Sequence, residues 1–221
     1  MATLILRPIS DTSLQHTCSS GSNGYSMISE TSSDGDSTYV YQSLTSTTSS
    51  SLSSTFSLGK PFSTSQYNVT AVRFHFYARD SDNNVTSSAS VSFNVNGSGA
   101  YTVSANSLTT RYSDYNQSNA DMVAAINGYL SSGKIPIITA TLKTTGRKSN
   151  NNKSDGYIRV TQIYIEVDYE EATEKTPSIY IKDDVDWKEY RVAYKKVGNA
   201  WVQQLDFETL FDENTNYVRG N

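Results

Sequence analysis

The chain has 221 residues, room for one domain plus an appendage, with 18 basic against 22 acidic side chains and a formal net charge of −4. A mildly negative chain attracts neither phosphate nor an anionic bilayer at long range, so no nucleic-acid and no membrane partner is expected. Its single cysteine, Cys18, can close no disulfide within the chain and offers no thiolate pair to a metal.

Ser (35) and Thr (24) make up roughly a quarter of the residues, and 16 Tyr supply much of the large apolar surface. That composition suits β-structure with a wet exterior. The first residues, Met1 to Pro8, hold only Leu4-Ile5-Leu6 as an apolar run before Arg7. This is too short for a signal peptide, and no stretch approaches the ~20 apolar residues that span a bilayer. Synthesis in a cytoplasm and a soluble product are expected.

Taken in chain order, Tyr25 to Ser29, Thr38 to Gln42 and Ser54 to Leu58 read as short strands. The Ser/Thr tract from Ser43 to Ser57 carries little apolar area and is expected at a sheet edge. From Val69 to Arg79, Val72, Phe74, Phe76 and Ala78 alternate with Arg73, His75, Tyr77 and Arg79, the pattern of a half-buried strand. The turn formers Asp80 to Asn84 follow, then the alternation Ala89, Val91, Phe93, Val95, so these two runs are expected to pair antiparallel.

One segment changes period. Ser118 or Asn119 can cap a helix with Asp121 in its first turn, Met122, Ile126 and Leu130 recur every fourth residue, and Gly133 can end it, which predicts a short helix over about 119–131. Residues 149–154 read as an exposed loop, whereas Tyr157 to Tyr169 is apolar on both faces and belongs at a sheet centre. Residues 1–170 therefore read as a β-sandwich or barrel. A charged stretch closing on Pro177 forms a linker over 171–177. The tail, 178–221, opens with a strand at Ile179-Tyr180-Ile181 and a second over Trp187 to Val197, and Gly198-Asn199 reads as a two-residue hairpin turn. Some 45 residues build no independent core readily, so this module is expected to pack on its own sandwich or on a neighbouring subunit.

Catalysis needs reactive groups that converge, and the sequence offers few. His75 falls on the exposed face of its strand and His16 is the one other histidine, so neither is expected to act as a base. Cys18, two residues from His16, is expected to be a partly buried inert thiol. Asn96-Gly97-Ser98-Gly99 is a turn and not a nucleophile elbow. The pairs Asp34/Asp36 and Asp80/Asp82 sit on turns that could offer oxygen ligands to Ca²⁺ but, lacking the acid that closes an EF-hand loop, are more often solvated turns. Glu166 and Asp168 share a strand face at about 6–7 Å, a spacing a glycosidase can use but one that nothing else selects. No phosphate cradle or His-x-x-x-His spacing occurs, and no cofactor is implied. What remains is tyrosine on polar surfaces. Tyr39 and Tyr41 share a strand face, and Tyr112 and Tyr115 lie in a polar loop, where tyrosine stacks on sugar rings, anchors protein contacts, or fills a core poor in Leu and Ile.

The segment with Tyr39-Val40-Tyr41, the strand Ala71 to Arg79, the helical Asp121 to Leu130 and the run Ile158 to Tyr169 resemble the jelly-roll-like domain of tailed-bacteriophage virion proteins. The tail, with Trp187, the hairpin Tyr194 to Val202 and the closing Phe211-Asp212 to Tyr217, resembles a module at the ends of phage minor structural proteins. The resemblance implies a jelly-roll-like sandwich followed by a β-hairpin assembly module. It implies a non-enzymatic structural role in capsid decoration, a head fibre or a tail appendage, made in the infected bacterium and located in the virion. Its partners would be capsid, portal or tail proteins and further copies of the chain, with assembly contacts at Trp187, Tyr194, Trp201, Phe211 and Tyr217. The alternative is a carbohydrate-binding module or receptor-binding tip that meets a host surface glycan through Tyr39, Tyr41, Tyr112 and Tyr115.

Overall fold

A computed structural model describes residues 1–32, 37–81, 84–150 and 154–172 in full, and the backbone of the strands over 178–183, 186–191, 193–197 and 200–204. The chain divides into two compact units, Met1–Ala172 and Thr173–Asn221.

In the first unit the period-two sequences become strands with one apolar face each. They are β1 (Ala2–Leu6), β2 (Ser10–Ser13), β3 (Thr17–Cys18), β4 (Val40–Leu44), β5 (Ser50–Gly59), β6 (Tyr67–Asp80), β7 (Val85–Val95), β8 (Ser98–Ala105), β9 (Ser113–Ser118), β10 (Ile138–Lys148) and β11 (Gly156–Glu171). One sheet runs β3-β4-β11-β6-β9, with β1 continuing the β4 side of β11, and the other runs β2-β5-β10-β7-β8. From β4 to β11, first pairs with last, second with seventh, third with sixth and fourth with fifth, all antiparallel. That is a long hairpin rolled across two facing sheets, the jelly roll. The inner faces meet at Phe74 and Phe93, whose fully buried rings stack at 4.6 Å.

The long run at Tyr157 to Tyr169 takes the predicted central place, as β11 between β4 and β6. The β6–β7 pairing expected across residues 80–84 does not form: β6 belongs to one sheet and β7 to the other. Both runs have an apolar face, and the core is sealed by placing these faces opposite each other in the two sheets. True hairpin geometry occurs at Asn96-Gly97, both at positive φ (51° and 73°), where Val95 and Ser98 pair across a two-residue turn.

The Ser/Thr tract lies at an edge only in part, because β2 covers β5 at Thr55 to Ser57 whereas Ser50 to Ser54 pair with β10 alone. Its hydroxyls pair across the ladder, Ser51 with Thr145 at 2.7 Å and Thr55 with Thr141 at 3.1 Å, while Phe56 and Leu58 point inward. Tyr25 to Ser29, expected as a strand, is a single-turn helix, α1 (Gly24–Ile28). Asp11 turns it: its carboxylate accepts the amide protons of Gly24 (2.8 Å) and Tyr25 (2.7 Å), donors that a helix start leaves open.

The predicted helix is present as α2 (Ala120–Ser131), burying Met122, Ile126 and Leu130. Asn119 caps it, its Oδ1 accepting from the Met122 amide at 2.8 Å, and Gly133 follows at φ 74°. Asn119→Ala is expected to lower stability by about 1 kcal/mol in urea unfolding, and an unchanged midpoint would count against the cap.

In the second unit, β12 (Ser178–Asp183) pairs with β13 (Asp186–Arg191) and β14 (Ala193–Val197) with β15 (Ala200–Gln204), closing at Asp183↔Asp186 and Val197↔Ala200. The run expected as one strand from Trp187 to Val197 is thus divided between two hairpins.

Candidate functional site

Where a strand turns a face outward, its register decides which side chains meet. On the outer face of the β1-containing sheet, Tyr41 of β4, Arg159 of β11 and Arg79 of β6 lie in one cross-strand row. Two guanidinium groups side by side repel, and tyrosine rings interleave them. Arg159 stacks 4.2 Å from the centre of Tyr39 and 3.9 Å from that of Tyr157. Arg79 lies 5.4 Å from the Tyr157 ring and 5.3 Å from Tyr112, and donates to the Tyr157 hydroxyl at 3.1 Å. Tyr41 adds an edge-on contact with Tyr39 at 5.8 Å. The result is a ladder, Tyr41, Tyr39, Arg159, Tyr157, Arg79, Tyr112, whose members are all half-buried.

At its β4 end the ladder borders a cleft of about 340 Å³. Tyr39, Tyr41, Tyr157 and Arg159 form its aromatic and cationic wall, and Ser19, Ser43, Thr45 and Asp155 its polar rim. Asp155 is held by Lys148, whose Nζ donates at 2.9 Å, and its carboxylate is largely exposed.

Three of the four tyrosines singled out from the sequence therefore belong to one surface. Tyr115 does not: its ring stacks on Phe76 at 5.0 Å and packs against the core. Arg79, Tyr157 and Arg159 were missed. Their signal was the spacing of Tyr157 and Arg159, two apart and so on one strand face, opposite a β4 face that already carried Tyr41.

His75, expected on an exposed face, is buried. Its ring lies flat on Tyr164 at 4.5 Å, its Nδ1 donates to Asp114 at 2.9 Å, and Arg7 covers the far side of Tyr164 at 4.6 Å. Outer faces of sheets are not always wet, and here long side chains from β9, β11 and the N-terminal segment roof the strand. Burial first, then Tyr77, Asp114 and Glu166 nearby, push the Tyr164 hydroxyl up to about 12, so it is a neutral donor at ordinary pH. Burial pulls the Arg7 guanidinium down.

The carboxylates considered for acid–base work are occupied. Arg73 donates to Glu166 at 2.7 Å, and Thr3 donates its hydroxyl proton to Asp168. Asp80 is buried and accepts from Ser87 at 2.6 Å. Asp34, Asp36 and Asp82 lie outside the described residues, and among the described residues no three or more His, Cys, Asp or Glu gather as a metal site would. Cys18 is half-buried in β3, its thiol pushed up by burial and then by Asp11.

His16 sits in the core and fixes its own tautomer. Ser54 Oγ accepts the amide protons of Gln15 (2.9 Å) and His16 (3.1 Å), so its single proton goes to His16 Nδ1 at 2.7 Å. The ring proton is then on Nε2 and is donated to Thr144 at 2.8 Å. Thr144 donates to Gln42 Oε1 at 2.7 Å, and Gln42 Nε2 ends the chain on the Ser50 carbonyl (3.1 Å) and hydroxyl (2.9 Å). A serine donating to a histidine has the connectivity of a nucleophile and its base, but Ser54 is fully buried and meets no substrate.

Of the residues expected to make assembly contacts, Trp187, Tyr194 and Trp201 fall on β13, β14 and β15, of which the backbone alone is described, and Phe211 and Tyr217 lie outside the described residues. No helix among the described residues is long and apolar enough to cross a membrane. The sequence matches no protein-family model and no curated protein.

Proposed function

We propose that the chain is a non-enzymatic structural protein of a tailed-bacteriophage virion, a capsid-decoration, head-fibre or tail-appendage component. It joins capsid, portal or tail proteins, and copies of itself, through protein–protein contacts. The observation that carries this reading is the joining of a jelly-roll unit, Met1–Ala172, to a separate small two-hairpin unit, Thr173–Asn221. A part that adds to a preformed lattice needs a stable body and a docking element, and complementary surfaces do the rest. In this reading Trp187, Tyr194, Trp201, Phe211 and Tyr217 supply the docking contacts, in the manner of aromatic anchors.

Immunogold electron microscopy on a lysate, with antibody raised against the full chain, is expected to label capsids or tails, and deletion of 178–221 to abolish incorporation. Unlabelled particles beside decorated cell walls or free protein would overturn the proposal.

The second reading, a carbohydrate-binding module or receptor-binding tip, is favoured by one observation, the Tyr–Arg ladder and the cleft beside it. The two readings are compatible, since a virion part can carry a receptor site.

A further inference from the structure

We infer that the cleft bordered by Tyr39, Tyr41, Tyr157, Arg159 and Asp155 is a saccharide-binding site, an inference that rests on the second of the two readings above. A pyranose has an apolar face of C–H groups and an edge of hydroxyls, and it is recognised by an aromatic face with acceptors and donors beside it. The cleft has both. Tyr39 and Tyr41 present half-buried rings, Arg159 stands stacked between Tyr39 and Tyr157, and Ser43, Thr45 and the Asp155 carboxylate rim the opening.

Two further observations narrow the ligand. At about 340 Å³ the cleft falls in the range of small-ligand sites, about 300–1,000 Å³. Asp155, largely exposed at the rim although paired with Lys148, keeps acceptor positions for the hydroxyl protons along a sugar's edge. The stacking of Arg159 against two rings also fixes them before a ligand arrives, so little side-chain freedom is lost on binding.

The test is saturation-transfer NMR and calorimetry on the full chain, against a panel of neutral di- and trisaccharides of hexoses and N-acetylhexosamines. Binding of at least one probe is expected, with the strongest transfer to ring C–H protons. Tyr41→Ala and Asp155→Asn should each weaken it about tenfold or more. Lys143→Ala, exposed on the opposite sheet, should leave it unchanged, and matching thermal midpoints would show that all three variants fold. Binding that survives both Tyr41→Ala and Asp155→Asn overturns this site and leaves the receptor-binding reading standing. Failure of the unaltered chain to bind any probe overturns both, and neither result bears on particle labelling by the antibody.

Discussion

Phe74→Ala is expected to destabilise the sandwich by about 3–5 kcal/mol, the range for removing a buried aromatic ring without refilling the space. Phe74 has no exposure, lies in the central part of β6, and stacks on Phe93 of β7 at 4.6 Å. Those two strands belong to opposite sheets, so the ring bridges the two layers and its loss opens a cavity between them. Neither layer can close the gap without breaking its own ladder, since β6 is paired on both sides and so is β7. Urea unfolding followed by tyrosine near-UV circular dichroism measures the effect. Phe93→Ala should cost nearly as much, and the double variant less than the sum, because the second truncation removes a ring whose partner is already gone. A loss below about 1 kcal/mol for either single variant would mean that the rings do not hold the sheets together.

Acidification from neutral pH to 4 should remove about 3 kcal/mol through His16 alone. Burial lowers its folded-state pKa from 6.5 to about 4. Between those values the unfolded chain binds the proton and the folded one does not, so stability rises with pH across that window. The contribution is complete above about pH 6.5, is lost as pH falls, and is gone at the folded pKa. A proton forced onto Nδ1 also meets the Ser54 hydroxyl proton head-on and breaks the chain of donors that runs through Thr144 and Gln42. The measurement is the unfolding free energy at several pH values for the unaltered chain and for His16→Gln. The difference between the two should shrink by about 3 kcal/mol from pH 7 to 4, and a difference that stays constant would sink the assignment.

The strands of the sandwich were legible because a two-residue period reports which side chains face the core. It does not report which strand lies alongside, and so the β6 and β7 runs were read as neighbours although they face each other. The helix at 120–131 was legible for the same local reason, since its cap, its apolar spacing and its terminating glycine are all contiguous. The turn of helix at Gly24–Ile28 was not, because the carboxylate that holds it comes from Asp11, beyond any local window. His75 shows the same limit at the site level. Its own strand puts it outside, and its burial is the work of Tyr164 and Asp114 on other strands. Tyr39, Tyr41 and Tyr112 could be named from their polar surroundings. The arginines that join them into one ladder appear only once the register of β4, β11 and β6 is known.

That register also sets how the sandwich carries force. Ala2 pairs with Tyr169 and Leu6 with Ile165, so the strand that enters the fold and the strand that leaves it begin and end together. Tension between residues 2 and 171 therefore loads one end of that ladder and peels it open a bond at a time. Tension between the cleft and residue 171 takes a different path. Tyr157 and Arg159 stand at the start of β11 and Glu171 at its end, so the pull runs along the covalent backbone of one strand and does not peel its ladders with β4, β1 and β6. A load applied at the cleft is thus borne by the backbone of β11 and not by the end of the β1 ladder.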